Sequence, residues 1–150
     1  MTEYIKWIRT YVGHAPVLQT AASVIVENEK GELLLQQRAD DGTWGYAGGS
    51  VELGESVEQA AARELYEETG LIADELEMFS VFSGKEYHHI YPNGDEVYNI
   101  DIVFVCKKYH GEMKADEKEV LQLKFFAKDN LPENLSKPIV TPIMQYISMK

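Results

Sequence analysis

The segment from Ser56 to Gly70 constrains the fold more than any other part of this chain, because both of its ends carry signals that delimit a helix. Ser56 and Gln59 have the spacing of a capping box. Gly70 stands where helices often end on a left-handed residue. At about 100° per residue, the apolar side of this helix consists of Val57, Ala60, Ala61 and Leu65. We therefore predict a short helix that packs on the core through this side.

Carboxylates lie on the same side of the predicted helix, near its C-terminal end. Glu64 follows Val57 by seven residues, Glu68 follows Ala61 by seven, and Glu67 flanks them. Two like charges about 4 Å apart repel by ~4 kcal/mol at an effective dielectric of 20. These carboxylates must therefore take up protons or bind a cation. Oxygen ligands suit Mg²⁺ or Mn²⁺, although the spacing alone leaves a solvated acidic helix surface equally open.

Length and charge narrow the classes of function. The 150 residues, 45% hydrophobic and 26% charged, suit one domain over 1–150 that is long enough to bury a core. The net charge of −11 excludes a basic surface for nucleic acid, so contact with phosphates should depend on metal cations. Cys106 is the single cysteine, and it lies in an apolar run that predicts a buried residue.

The cellular location is predicted from two patterns that the chain lacks. The first residues do not have the basic and apolar regions of a signal peptide. No apolar run approaches the roughly 20 residues that are needed to cross a bilayer. We therefore predict a soluble, cytoplasmic protein without membrane contact.

The rest of the chain predicts more strands than helices. Further helices are expected over 3–12 and 139–147, and strands over 17–27, 33–38, 76–90, 96–108 and 120–127. Tyr91 to Gly94 predicts a hairpin turn, and Pro138 and Pro142 should both fall near the start of the last helix. This order predicts an α+β domain with a mixed β-sheet between helices.

The residues around the acidic helix resemble the Nudix box. Gly49, Glu55 and the run from Arg63 to Leu71 match this motif at every specified position. Ala47 departs from the family, which commonly has proline at that position, but the departure removes no metal ligand. The resemblance implies a Nudix-type α/β/α sandwich. It also implies a hydrolase that cleaves a nucleoside diphosphate linked to another group.

The resemblance further implies which residues bind the metal. Glu64, Glu67 and Glu68 would ligate Mg²⁺ or Mn²⁺, with the backbone carbonyl of Gly48 as a further ligand. An additional acidic ligand often follows the box in this family. Glu119 is our candidate for it, and an ordinary charged loop residue is the open alternative.

Roles around the metal follow from the same resemblance. Arg63 would orient the glutamates by salt bridging, so the implied catalytic residues are Arg63, Glu64, Glu67 and Glu68. The residues that would support the site structurally are Gly49, Glu52, Glu55 and Gly70. A carboxylate would accept a proton from the attacking water, and the choice between Glu64, Glu68 and a distal acid stays open.

Candidate substrate contacts lie outside the box. Tyr87 follows Leu71 by sixteen residues, a spacing that resembles dinucleoside polyphosphate hydrolases, with nucleoside triphosphates as the next candidates. The proline typical of ADP-ribose hydrolases is absent from this position. Arg38, Trp44 and Tyr46 are the other candidates, for stacking on a base or contacting a phosphate. Core packing explains Trp44 equally well.

Two alternatives remain open at this point. Some Nudix-like domains are sensors that bind nucleotides without cleaving them, although the intact box favours an enzyme acting on a small nucleotide. Tyr4 and Trp7 on the first predicted helix either pack on the core or form a homodimer contact.

Overall fold

A computed structural model describes residues 3–149, so Met1, Thr2 and Lys150 of the predicted domain lie outside the described residues. The helices are α1 (Glu3–Val12), α2 (Val57–Thr69) and α3 (Lys137–Ser148), with a short 3-10 helix over Lys85–Tyr87. The strands are β1 (Val17–Val26), β2 (Leu33–Arg38), β3 (Trp44–Gly45), β4 (Ala47–Ser50), β5 (Ile72–Phe82), β6 (His88–Ile90), β7 (Glu96–His110) and β8 (Val120–Phe126).

The strands form two sheets. The larger has the order β4-β1-β7-β5, with β6 also paired to β7. In it β1 and β7 are parallel, from Val17 opposite Val97 to Val26 opposite Cys106, and the other pairs are antiparallel. The smaller sheet, β3-β2-β8, is antiparallel. The predicted mixed sheet is confirmed.

Two apolar clusters hold the helices against the sheets. One cluster joins α3 to both sheets and includes Ile25, Leu33, Leu35, Trp44, Val103, Ile139 and Ile143. The other lies under α2 and includes Ala22, Val24, Leu34, Ala60, Ala61, Leu65 and Phe104. Successive side chains of a strand point to opposite faces, and Leu33, Leu34 and Leu35 follow this rule by alternating between the two clusters. The sheets therefore lie between α2 and α3, as the predicted sandwich requires.

The β-structure on either side of α2 differs from the prediction. The single strand expected over 76–90 is divided into β5 and β6, with Gly84 at a φ of 105° before the 3-10 helix. Tyr87 therefore lies on that helix and not on a strand. Strands β3 and β4 were not predicted, because Gly45, Gly48 and Gly49 lower the β-propensity of this segment.

Turn and proline positions give one confirmation and one correction. The hairpin turn is present, with the Gly94 N–H donating to the Tyr91 carbonyl at 2.8 Å. Helix α3 begins at Lys137, so Pro138 lies in its first turn but Pro142 lies inside the helix. Proline there costs the hydrogen bond to residue 138, and Pro142 is fully buried in compensation. Within residues 3–149, every helix is too short or too polar to span a membrane.

Candidate active site

Strand β4 brings two glycines directly against α2. The Gly48 N–H donates to Glu68 Oε2 at 3.1 Å. A Cβ atom on Gly49 would lie only 2.5 Å from the Glu64 carboxyl carbon, so any larger residue there would displace the Glu64 side chain. The capping box of Ser56 and Gln59 and the left-handed Gly70, with a φ of 78°, define the ends of α2 as predicted.

Glu64 and Glu68 form a buried pair of carboxyl groups. Each residue is 8% exposed, and Glu68 also accepts a hydrogen bond from the Gln36 side chain. Burial, and then the hydrogen bond with Glu64, raise the pKa of Glu68 to about 9. The Glu68 carboxyl group therefore stays neutral to a higher pH than an exposed glutamate does.

Arg63 is the cation that holds this pair in place. Its Nη1 lies 2.8 Å from Glu64 Oε1, and its Nη2 donates to the Ser50 carbonyl at 3.0 Å. Both Glu55 oxygens accept from the same guanidinium, at 2.7 and 3.0 Å. The hydrogen bond from Arg63 lowers the pKa of Glu55. Arg63 is thus fixed between the loop before α2 and the helix itself.

Glu67 and Glu119 do not join the buried pair. The Glu67 side chain is 53% exposed and lies 3.4 Å from Arg63 Nη1. The helical spacing explains this, because Glu67 is rotated by about 60° from Glu64. Glu119 is exposed, and its carbonyl accepts a hydrogen bond from the Ala39 N–H at 2.9 Å. Within residues 3–149, no three His, Cys, Asp or Glu side chains form a ready-made metal cluster, so the structure brings together two of the predicted carboxylates.

The chemistry of the donors nevertheless fits a hard divalent cation. The pair supplies oxygen atoms alone, and repulsion within it decreases when a cation binds. Gln36 Oε1 is buried and lacks a hydrogen-bond partner among the described residues. A buried acceptor without a partner usually marks a missing ligand or water. Gly49 has no side chain, so it leaves room for the Glu64 carboxylate at this position.

The candidate substrate contacts occupy different environments. Trp44 is buried and packs edge-on against Phe126 with ring centroids 4.9 Å apart, which is the core-packing alternative. Tyr46 and Tyr87 are also buried in the cluster shared by the two sheets. Arg38 is half exposed, and its guanidinium pairs with Asp40 at 2.7 Å. Arg38 is therefore the most accessible of the four.

Three residues near the site were not predicted from the sequence. Gln36 contacts Glu68, and Ser23 packs under Gly48 and donates to Asp101 Oδ1 at 2.7 Å. Tyr46 donates to the other Asp101 oxygen at 3.3 Å, and burial raises the pKa of Asp101. The single acid within the apolar run 100–106 was the available signal for Asp101. Nothing comparable marks Gln36 or Ser23.

The mixed sheet between helices and the acidic helix α2, which is capped at both ends, are the features of an α/β/α sandwich protein with an acidic site. The NUDIX domain model matches residues 17–146, and the chain belongs to the NUDIX domain family.

Individual relatives support this family. The chain is 35% identical over 131 residues to an ADP-ribose pyrophosphatase of Methanocaldococcus jannaschii, covering 86% of this chain and 71% of that protein. It is 34% identical over 108 residues to nucleoside triphosphatase NudI of Escherichia coli, covering 66% and 75%. A solved MutT NUDIX hydrolase from Burkholderia pseudomallei is similar with a TM-score of 0.72 at 26% identity, covering 86% and 98%. The predicted family, sandwich fold and class of enzyme are confirmed.

Proposed function

We propose that the chain hydrolyses a diphosphate linkage in a nucleoside diphosphate derivative, with Mg²⁺ or Mn²⁺ as cofactor. The observation that carries this proposal is the buried pair of Glu64 and Glu68 seated against Gly48 and Gly49. Two buried acids that repel each other when both are ionised are suited to bind a cation in place of a proton. The names of the relatives support the class of reaction.

The residues that would hold the cation are Glu64 and Glu68, with the Gly48 carbonyl as a proposed further ligand because the Gly48 N–H already contacts Glu68. Glu67 is exposed and is rotated by about 60° from Glu64 around the helix axis. Its side chain could therefore turn toward an ion bound at the pair. A divalent cation bound there would stabilise negative charge on phosphate oxygens and would lower the pKa of the attacking water. Glu119 is part of the proposal as a distal acid, but its exposed position gives it the weakest support.

The chain's own groups provide positioning and proton transfer. Arg63 keeps the Glu64 carboxylate oriented, and Glu55 keeps Arg63 in place through two hydrogen bonds. A carboxylate would accept the proton of the attacking water. Glu64, Glu68 and a distal acid are the candidates for this general base.

Phosphate recognition is assigned to Arg38, the most exposed of the candidate contacts. Its guanidinium is planar and suited to a phosphate, and its present partners Asp40 and Asp41 are exposed. Tyr46 and Tyr87 are buried in an apolar cluster, so they offer a substrate less surface than Arg38 does. These positions support a small nucleotide as the substrate without selecting its second group.

A panel assay tests the proposed function. Purified protein is incubated with ADP-ribose, dinucleoside polyphosphates and nucleoside triphosphates in Mg²⁺ or Mn²⁺, and the products are separated. We expect cleavage within the diphosphate of at least one class, dependent on the metal. Tight nucleotide binding without any product would contradict hydrolysis and support a sensor. The cytoplasmic location and the homodimer contact remain predictions, which fractionation and sedimentation would test.

A further inference from the structure

Helix α1 lies outside the part of the chain that matches the family model, which begins at residue 17. Ile5 is the buried residue of this helix, whereas Trp7 and Tyr11 are 52% and 73% exposed. Its C-terminal end is held by Arg9, which donates to the Glu96 carbonyl at 2.8 Å. With so little apolar burial, the position of α1 depends strongly on polar contacts at its ends.

The contact at the N-terminal end of α1 is the Glu52 carboxylate. The backbone N–H groups of Glu3 and Tyr4 donate to Glu52 Oε2 and Oε1 at 3.1 and 2.9 Å. First-turn N–H groups lack partners within their own helix, and the helix dipole favours an anion at this end. Glu52 therefore caps α1 from a position 48 residues further along the chain.

The backbone of Glu52 is hydrogen-bonded to Glu55, the residue that holds Arg63 beside the acidic pair. Its N–H donates to Glu55 Oε1 at 3.0 Å, and its carbonyl accepts from the Glu55 N–H at 3.1 Å. The Glu55 carboxylate holds Arg63, and Arg63 holds Glu64. A continuous series of hydrogen bonds thus runs from the first turn of α1 to one carboxylate of the buried pair.

We infer that Glu52 is a positioning residue through which α1 orients Arg63 and the Glu64–Glu68 pair. The Glu52 side chain accepts hydrogen bonds from α1, and the Glu52 backbone is hydrogen-bonded to Glu55. When the contact with α1 is lost, the turn over 52–55 is therefore less restrained. Arg63 then loses its fixed partner, and Glu64 loses its orientation. The effect on turnover rests on the proposed hydrolysis, whereas the effect on cation binding rests only on the cation site proposed at the pair.

The test compares Glu52→Ala and Glu52→Gln with Glu58→Ala, which removes an exposed carboxylate from the first turn of α2. We measure the Mn²⁺ affinity by electron paramagnetic resonance of the free ion, together with kcat, KM and the melting temperature. Loss of a residue beyond the ligands typically weakens metal binding by 10–100-fold when it bonds a ligand directly. Because Glu52 acts through two further residues, we expect Glu52→Ala to weaken Mn²⁺ binding roughly 3–10-fold.

The accompanying kinetics separate positioning from general destabilisation. We expect kcat of Glu52→Ala to fall by a similar factor, with KM changed less than about twofold. Glu52→Gln keeps an acceptor oxygen and should recover part of the affinity, and Glu58→Ala should match the original protein. In a Glu55→Gln background, the Glu52→Ala change should have little further effect, because the connection to Arg63 is already weakened.

One result overturns this inference: Glu52→Ala, still folded, binds Mn²⁺ with unchanged affinity and has only a lower melting temperature. A purely structural contact of α1 would give that pattern. If the original protein cleaves nothing in the panel, the proposed hydrolysis fails. The comparison of Mn²⁺ affinities still decides the role of Glu52 in that case.

Discussion

Glu68 on α2 and Asp101 on β7 are both acids whose pKa is raised chiefly by burial, but their neighbours differ. Glu68 lies against a second acid, Glu64. Asp101 accepts hydrogen bonds from the hydroxyl groups of Ser23 and Tyr46. A second carboxylate adds repulsion that a divalent cation removes, whereas hydroxyl donors stabilise an anion without one. The comparison indicates that a neighbouring acid, more than burial, favours the binding of a cation at a buried carboxylate.

Adjacent glycines on β4 separate these two environments. A Cβ atom on Gly48 would lie 2.2 Å from Ser23 Oγ and 2.9 Å from the Ala22 carbonyl oxygen. A Cβ atom on Gly49 would meet the end of the Glu64 side chain instead. One glycine therefore packs against the rigid strand that supports Asp101, and the other against a flexible carboxylate of the site.

The largest expected effect comes from replacing one acid of the pair. Glu68→Gln keeps the shape of the side chain but removes a charge that a cation needs, so turnover with Mg²⁺ should fall by two or more decades. Asp101→Asn, the matched change in the other environment, should lower turnover less than about tenfold. Steady-state assays on the substrate found in the panel measure both. Equal losses would show that the two acids do not differ in role.

Alanine at the two glycines should separate activity from stability. Gly49→Ala displaces the Glu64 carboxylate, which can move, so we expect activity to fall by more than about tenfold at a cost under about 1 kcal/mol. Gly48→Ala meets backbone and should cost about 1–3 kcal/mol in the free energy of unfolding.

Denaturant unfolding and the activity assay check both glycine variants. Gly45→Ala on β3 is the control, since its Cβ would have no neighbour closer than 3.8 Å. Full activity in Gly49→Ala would contradict the proposal that the Glu64 carboxylate must lie directly against residue 49.

The pH dependence of unfolding without metal tests the raised pKa of Glu68. The pKa of Glu68 is raised from 4.5 to about 9 in the folded protein, so its contribution is fully present below pH 4.5. This contribution is lost as the pH rises through about 9. In EDTA, the stability of the original protein relative to Glu68→Gln should therefore fall by at least about 1 kcal/mol between pH 5 and pH 9. Chemical denaturation at both values gives the difference, and added Mg²⁺ should restore stability to the original protein alone.

Local signals explain how much of this arrangement the sequence could predict. The capping box, Gly70 and the spacing of Glu64 and Glu68 all lie within one helix, so α2 and its buried acids follow from periodicity. The exposed Glu67 shows how sharply burial changes around this helix, because a rotation of about 60° from Glu64 is enough to leave the buried side. The neighbours of Asp101 are Ser23 on β1 and Tyr46 between β3 and β4, and their proximity depends on pairing between distant strands.

The smallest effect is expected for the stability of Asp101→Asn. Burial raises the pKa of Asp101, so its stabilising contribution is present below its unfolded pKa and is lost as the pH rises through the folded value. Asparagine does not titrate. The destabilisation by Asp101→Asn should therefore be greater at pH 4 than at pH 8, by less than about 1 kcal/mol. Urea unfolding at the two pH values measures this change. A difference that also responded to Mg²⁺ would place Asp101 in the cation site and remove the distinction between the two acids.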